Sequence, residues 1–233
     1  PLLAALPGVP EGEKKRWEIM RAFKKYVAPQ IVDEVSKGGE FQISLGGERR
    51  EIAAMFVDIR GFTSLSENLE PEEVVEILNE YLNLTTHAIF KNGGTLDKFI
   101  GDATMAVFNA PFDLDDYIYR AVCTARDIVA GAQDLEDRME KRFHKKVNFG
   151  IGISCGPAVV GNVGCDFRMD YTAIGDTVNT ASRLEGKAGA SEILISEPVY
   201  EALKDRIRVT EKGMIPLKGK AKEICVYSVD EVL

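Results

Sequence analysis

Histidine and cysteine are scarce in this chain of 233 residues, which has two histidines and four cysteines. A histidine-based zinc site or a Ser-His-Asp triad needs a histidine beside further ligands or partners. Neither His87 nor His144 has such neighbours in the sequence, so we expect both to lie on helix surfaces. The cysteines are widely spaced with no C-x-x-C pair. That pattern indicates reduced, structural thiols of a cytoplasmic protein.

Long apolar runs and basic blocks are also missing. No apolar run approaches the roughly 18 residues that span a bilayer, and the opening Pro-Leu-Leu-Ala-Ala-Leu-Pro lacks the charged start of a signal peptide. The net charge is −8 with no basic block, which argues against nucleic acid as a partner. Since the first residue is Pro rather than Met, we expect the chain to be a piece of a longer protein. The parent protein could be anchored to a membrane.

The remaining composition is that of a globular protein, with 45% hydrophobic and 28% charged residues. Hydrophobic periodicity predicts a helical segment within residues 1–45, from about Glu13 to Ser36, and a separate domain over residues 46–233. The order of elements predicts an α+β fold with helices on one face of a mainly antiparallel sheet. Predicted strands cover residues 52–57, 95–100, 103–108 and 147–154. A turn at 155–157 is predicted to reverse the last of these into a strand over 158–161, and a flexible excursion follows over 162–170.

The central feature is the apolar run 52–57, which predicts a strand buried on both faces and ending at Asp58. A glycine turn follows, and Thr63 or Ser64 is a candidate helix cap. Carboxylate oxygens suit a hard metal ion. The turn and helix start offer backbone N–H groups, including those of Phe62 and Thr63, to an anion. On this stretch alone, a strand that ends in a solvated Asp capping the next turn is the favoured interpretation.

A second carboxylate, Asp102, lies in the two-residue turn of a predicted hairpin. We expect strand 95–100 to lie beside strand 52–57, because sequential strands usually neighbour each other. Asp58 and Asp102 would then meet at one edge of the sheet and raise each other's pKa. A pair of divalent cations between them would suit phosphoryl chemistry. Without a cation, Gly-Asp is ordinary turn chemistry.

A third group lies on the helix that Gly175 and Asp176 begin. Asn179 and Arg183 are four residues apart and share a helix face. Arginine suits phosphate recognition, so this face is a candidate ligand site. The alternative is a salt bridge from Arg183 to Asp176 or Glu185.

Three motifs in this order resemble the class III nucleotidyl cyclase catalytic domain. They are Phe-Val-Asp-Ile-Arg-Gly-Phe-Thr at 56–63, Lys-Phe-Ile-Gly-Asp at 98–102 and Gly-Asp-Thr-Val-Asn-Thr-Ala-Ser-Arg at 175–183. The resemblance runs in register from about Arg49 to Val229. It implies a ferredoxin-like βαββαβ core with additional C-terminal strands. It also implies a head-to-tail homodimer with catalytic sites at the interface.

The resemblance also implies two groups of site residues. The metal group would hold two Mg²⁺ or Mn²⁺ ions and comprises Asp58, Asp102 and the carbonyl of Ile59. The substrate group would come from the partner chain: Lys98 and Thr172 for the purine, Asn179 for the ribose, Arg183 for the α-phosphate, and Lys218 for the terminal phosphates, with Lys220 in its place if the register shifts.

The implied reaction is cyclisation of ATP to 3′,5′-cyclic AMP and pyrophosphate. Lys98 suits adenine, since its ammonium donates to a ring-nitrogen acceptor where guanine presents N–H. Thr172 can donate or accept, so we expect it to discriminate less sharply than the Asp that is commonest in adenylyl cyclases. The threonine variant resembles a branch that includes bicarbonate-responsive cyclases, which makes bicarbonate a candidate activator. The resemblance also implies that residues 1–45 are a helical transducer or linker and that residues 46–233 are the catalytic domain. An upstream sensor in the parent chain is a further expected partner.

Three alternatives stay open. A guanylyl cyclase is the nearest, although Lys98 argues against it. A catalytically silent domain that only regulates would be expected to lack a site residue. A transferase that joins two GTP molecules shares the core fold, but its Gly-Gly-Asp/Glu-Glu-Phe signature is absent.

Overall fold

The computed structural model describes residues 45–144, 147–165, 167–216 and 223–233, and Leu45–Leu233 form one compact unit. The predicted transducer helix therefore lies outside the described residues. The strands are β1 Gly46–Arg60, β2 Thr95–Ile100, β3 Ala103–Phe108, β4 Asn148–Cys165, β5 Arg168–Ile174, β6 Glu192–Ser196, β7 Ile207–Ile215 and β8 Ile224–Val232. The helices are α1 Phe62–Ser66, α2 Pro71–Lys91, α3 Tyr117–Phe143, α4 Asp176–Glu185 and α5 Glu197–Leu203.

The strands form one sheet in the order β2-β3-β1-β4-β6-β8-β7, with β5 paired to β4. Pairs β2–β3, β3–β1 and β1–β4 are antiparallel, and β4–β6 is parallel. The segment from β1 to β4 is thus a βαββαβ unit of ferredoxin-like order, and later strands extend the sheet beyond β4. This confirms the predicted fold class.

Strand β1 lies between β3 and β4, so the expectation that residues 95–100 lie beside residues 52–57 is wrong. Helix α2 carries the chain across the sheet, and the two-residue turn brings β3 back between β2 and β1. The turn itself still lies beside the end of β1, because Val57 pairs with Thr104.

Strand β4 is continuous where a turn at 155–157 was predicted. Gly156 pairs with Ile52 and Pro157 with Glu51, so both halves of β4 pair with the long β1. Gly156 has φ 143°, a conformation that glycine tolerates and that lets the strand bend without reversing. The predicted flexible excursion over 162–170 is also wrong, since its described residues pair as the β4–β5 hairpin.

The buried strand β1 separates two layers of core. Ala53, Met55 and Val57 pack in the cluster that contains side chains of α2 and α3. The alternating residues Ile52, Ala54 and Phe56 belong to a second cluster with Val178 and Ala181 of α4. Burial on both faces is as predicted, but α4 lies on the opposite face from α2 and α3. The expectation of helices on one face is therefore wrong for α4.

Candidate active site

The two predicted metal carboxylates lie side by side. Asp58 is near the end of β1, and Asp102 lies in the β2–β3 turn that Gly101 opens with φ 64°. The pKa of Asp102 rises to about 6, first because of burial and second because of the hydrogen-bonded, like-charged Asp58 carboxyl, while the charge of Arg60 opposes the shift. The two carboxylates repel each other at this distance. A divalent cation bound between them would offset the repulsion, and carboxylate oxygens are ligands that such a cation prefers.

The donor set fits magnesium or manganese bound with its substrate. Within the described part of the chain, no group of three or more His, Cys, Asp or Glu residues could hold a metal. Mg²⁺ commonly uses one or two carboxylates and completes its shell with water and substrate phosphates, so Asp58 and Asp102 suffice as protein ligands. The side chain of Ile59 is buried in the core. Any contribution from Ile59 would therefore come from its backbone.

An arginine that sequence reasoning missed joins β1 to α4. The Arg60 Nη2 atom lies 3.2 Å from Asp58 Oδ2 and also donates to Glu185 Oε1. The guanidinium occupies space above Gly150, where a Cβ would lie 2.5 Å from Arg60 Nε. The alternative salt bridge from Arg183 to Asp176 or Glu185 is wrong, because none of the ion pairs between described residues involves Arg183 and the Glu185 carboxylate contacts Arg60 instead. The sequence signal was weak, since Arg60 and Glu185 are 125 residues apart.

Lys98 and Thr172, predicted to read the purine, are brought together around a third residue, Asp97. The Thr172 hydroxyl donates to Asp97 Oδ2 at 2.7 Å, and the Lys98 Nζ lies 3.4 Å from Asp97 Oδ1. Lys98 also lies 3.9 Å from Asp170 Oδ2. Sequence reasoning did not single out Asp97, although its position next to Lys98 on a strand was the available signal.

Helix α4 presents Asn179 exposed and Arg183 partly exposed. None of the ion pairs between described residues involves Arg183, so its charge is available to a ligand. Gly152 of β4 lets α4 lie directly on the sheet, since a Cβ there would be 2.2 Å from Ala181 O and from Glu185 N. The small residue thus fixes the height of Asn179 and Arg183 above β4.

The segment after β1 begins with Gly61, which has φ 74° and stands at the N-cap of α1 without a side-chain cap hydrogen bond. The predicted caps Thr63 and Ser64 lie inside α1, so that expectation is wrong. Phe62 packs against the core, and Thr63 is exposed. The first amides of a helix have no partner within it, so those of Phe62 and Thr63 stay candidates for an anion. The predicted phosphate contacts Lys218 and Lys220 lie outside the described residues.

Both histidines lie at the surface away from these groups, as predicted. His87 is exposed on α2, where its Nδ1 is 2.7 Å from Asn83 O, and His144 is exposed just after α3. None of the described helices combines the length and the hydropathy that a bilayer-spanning segment requires.

Residues 47–230 match the family model for the adenylate and guanylate cyclase catalytic domain. Adenylate cyclase 1 of Rhizobium meliloti (strain 1021) is 35% identical over 212 residues, which are 89% of this chain and 31% of that protein. The chain thus spans about a third of the length of this relative.

Solved structures are similar as well. The crystal structure of the adenylyl cyclase CyaB from P. aeruginosa is 39% identical with a TM-score of 0.78, covering 81% of this chain and 98% of that one. The guanylyl cyclase Cya2 is 35% identical with a TM-score of 0.76, covering 81% and 95%. Overall similarity therefore does not distinguish an adenylyl cyclase from a guanylyl cyclase. With the match of the family model over most of the chain, it does show that the chain belongs to the family of adenylate and guanylate cyclase catalytic domains.

Proposed function

We propose that this domain is an adenylyl cyclase, which converts ATP to 3′,5′-cyclic AMP and pyrophosphate. The observation that carries the proposal is the pair of adjacent carboxylates, Asp58 and Asp102, with the raised pKa of Asp102. Such a pair suits attack of a ribose 3′-hydroxyl on a phosphorus atom, a reaction that needs no histidine base. The adenylate cyclase relatives support the same activity.

Asp58 and Asp102 would hold two Mg²⁺ or Mn²⁺ ions, with the Ile59 carbonyl as a further ligand. When bound there, the cations lower the pKa of the 3′-hydroxyl and neutralise charge that develops on the phosphate oxygens. The pairing of Arg60 with Glu185 restrains the guanidinium beside Asp58, so the carboxylate keeps a fixed position.

The substrate residues act on different parts of the nucleotide. Asn179 orients the ribose, and Arg183 stabilises the charge that grows on the α-phosphate in the transition state. Lys218, or Lys220 in its place, contacts the terminal phosphates, and the amides of Phe62 and Thr63 support the same groups. Loss of Arg183 would lower kcat more than it raises KM, because the interaction strengthens in the transition state.

Selectivity for ATP rests on Lys98 and Thr172. The Lys98 ammonium donates to an acceptor nitrogen of adenine, where guanine presents N–H. The closeness of Lys98 and Thr172 around Asp97 supports a common role in reading the base. Guanylyl cyclase activity and a silent regulatory domain are the alternatives that the test must exclude.

The active form would be a head-to-tail homodimer in which each site takes its metal residues from one chain and its substrate residues from the other. Exposed apolar side chains on β2, β4 and β5 support such an interface: Phe99, Ile100, Val159, Val163 and Ile174. An upstream sensor acting through residues 1–45, bicarbonate stimulation and a cytoplasmic site of action complete the proposal.

The test is cyclic nucleotide formation from Mn-ATP and Mn-GTP in parallel, over a range of protein concentrations. We expect cyclic AMP as the main product, with specific activity that rises with concentration. Cyclic GMP as the main product would overturn the assignment of Lys98 and Thr172. No product from folded protein at any concentration would overturn the proposed activity of the domain.

Mixing two inactive variants tests the shared site. Asp58→Asn removes a metal ligand, and Arg183→Met removes a substrate contact. In a head-to-tail dimer an equal mixture gives about half heterodimers, each with one intact site, and so about a quarter of wild-type activity. An inactive mixture, although subunits exchange, would contradict a site shared between chains.

The regulatory parts are tested separately. Activity in bicarbonate is compared with activity in chloride at matched pH, and equal rates would remove bicarbonate as an activator. Deletion of residues 1–45 should alter dimerisation or specific activity. If both stay unchanged, the segment does not transmit a signal to the domain.

A further inference from the structure

Asp97 is a buried carboxylate that the proposed mechanism does not use. Its side chain is 2% exposed, and it lies at a register shift in β2, between Leu96 and Lys98. A bulge of this kind turns one side chain away from the regular alternation of the strand. Here it directs Asp97 towards β5, where it lines a small pocket with Tyr171 and Thr172.

The contacts of Asp97 define the direction of its hydrogen bonds. Its Oδ2 atom lies 2.7 Å from Thr172 Oγ1 and 3.2 Å from the backbone nitrogen of Ala173. A backbone N–H only donates, so Oδ2 is an acceptor. The Lys98 ammonium 3.4 Å from Oδ1 favours the ionised carboxylate. Burial raises the pKa of Asp97, whereas the hydrogen bonds and the charge of Lys98 oppose that shift.

The ionised Asp97 determines how the Thr172 hydroxyl can form hydrogen bonds. An ionised carboxylate has no proton to give, so the Thr172 hydroxyl donates its single proton to Asp97 and keeps only lone pairs for any other partner. Sequence reasoning left this hydroxyl free to donate or to accept. The structure removes that freedom.

We propose that Asp97 is a specificity-determining positioning residue, which fixes the Thr172 hydroxyl as an acceptor and so selects purines with a 6-amino group over purines with a 6-oxo group. The inference rests on the proposed function, since it assigns Thr172 to the purine. A 6-amino group can donate to the fixed lone pairs. A 6-oxo group would place its own acceptor oxygen against the lone pairs of Thr172, with no proton to form a hydrogen bond. Two acceptors left unpaired in a closed site disfavour that base strongly.

A matched pair of substitutions separates the acceptor from the charge. Asp97→Asn keeps a carbonyl oxygen that the Ala173 N–H holds in place, so Thr172 still donates to it. Asp97→Ala removes the acceptor. Both substitutions remove the negative charge beside Lys98, so a difference between them reports the hydrogen bond alone.

The measurement is the ratio of kcat/KM for ATP to that for ITP, whose bases differ at positions 1 and 6 alone. We expect Asp97→Asn to keep the ratio within about threefold of wild type, and Asp97→Ala to lower it about tenfold, as the loss of one directed hydrogen bond would. In a Thr172→Val background, Asp97→Ala should change the ratio by less than about twofold, because no hydroxyl remains to be directed.

Thermal unfolding checks that each variant is folded. If Asp97→Ala is not, Asp97→Val offers a strand-forming side chain of similar size without oxygen. An unchanged ratio in the variant without the acceptor would overturn the proposal. Equal losses in the Asn and Ala variants would also overturn it, since the charge rather than the acceptor would then be responsible.

Binding distinguishes failure of this inference from failure of the proposed function. Calorimetric titration with 3′-deoxy-ATP and 3′-deoxy-ITP, which lack the attacking hydroxyl, measures base selectivity without turnover. A chain that makes no cyclic nucleotide but prefers the adenine analogue in a manner that depends on Asp97 would refute the activity and support the inference. A chain that binds neither analogue would overturn both.

Discussion

Replacing Asp102 by Asn should stabilise the metal-free protein, because it removes a charge that the fold holds against Asp58. The pKa of Asp102 rises from 3.8 to about 6 in the folded chain. At about 1.4 kcal/mol per unit this corresponds to about 3 kcal/mol of unfavourable free energy for the carboxylate. Since Asp102 is half-buried, water screens part of this unfavourable interaction, and we expect the free energy of unfolding of the Asn variant to be higher by about 1–1.5 kcal/mol. For a domain of this size the melting temperature should rise by roughly 3–5 °C.

The pH dependence follows from the direction of the shift. A carboxyl whose pKa is raised on folding disfavours the folded state once it ionises there, so the full cost is present above about pH 6. It disappears below about pH 4, where the group is protonated in both states. The advantage of Asp102→Asn over wild type should therefore grow between pH 4 and pH 6 and stay constant above.

The assay is thermal unfolding of EDTA-treated protein across this pH range, with Asp137→Asn as control because Asp137 is exposed on α3. Addition of Mn²⁺ should reverse the order, since a ligand that binds the folded state stabilises wild type and binds the variant weakly. If Asp102→Asn were no more stable than wild type at pH 8 without metal, the repulsion argued from the geometry would be refuted.

Three further changes test the supporting structure. Gly152→Ala should destabilise the domain by about 3 kcal/mol in chemical denaturation, because its Cβ would meet the backbone of α4 at 2.2 Å. Glu185→Gln should cost about 1–3 kcal/mol and weaken Mn²⁺ binding in calorimetry, since Arg60 would lose one carboxylate and pair with Asp58 alone. Arg183→Met should lower kcat at least a hundredfold in steady-state assays with little change in melting temperature, because Arg183 forms no ion pair with any described residue.

Matched substitutions provide the controls. Gly186→Ala should be neutral within about 0.5 kcal/mol, because its φ is −61° and a Cβ there has no neighbour closer than 3.7 Å. Glu201→Gln removes the exposed pair with Lys204 and should cost less than about 1 kcal/mol. Equal losses of stability for the Gly152 and Gly186 variants would contradict the packing argument. A Glu185 variant as stable as wild type would contradict the role of its pairing with Arg60. An Arg183 variant changed in KM alone would contradict its action on the transition state.

The sequence by itself determined several local elements and the identity of most candidate site residues. The apolar run before Asp58, the Gly101-Asp102 turn and Pro71 at the start of α2 each act on neighbouring residues. Their patterns therefore predicted the strand, the hairpin and the helix start correctly. The order of these elements was enough to predict the α+β class. The roles of the site residues came from the resemblance of three motifs, and they stay proposals.

Local patterns misled where a distant partner decides the conformation. The Gly156-Pro157 pair is typical of a turn, yet pairing with β1 on both sides keeps β4 extended. Thr63 and Ser64 are good caps by composition, but Gly61 in the left-handed region begins α1 before them. The place of β3 beside β1 follows from the crossover of α2, which no short stretch of sequence records.

Only the tertiary structure decided the contacts that connect the candidate site. Arg60 reaches Glu185 across 125 residues, and Asp97 reaches Thr172 across 75. Side chains such as these can pair with several partners, and hydrogen-bond directions depend on which one the fold supplies. The resemblance implied that Thr172 reads the purine, which stays a proposal, whereas only the tertiary structure shows its hydroxyl donating to the buried Asp97.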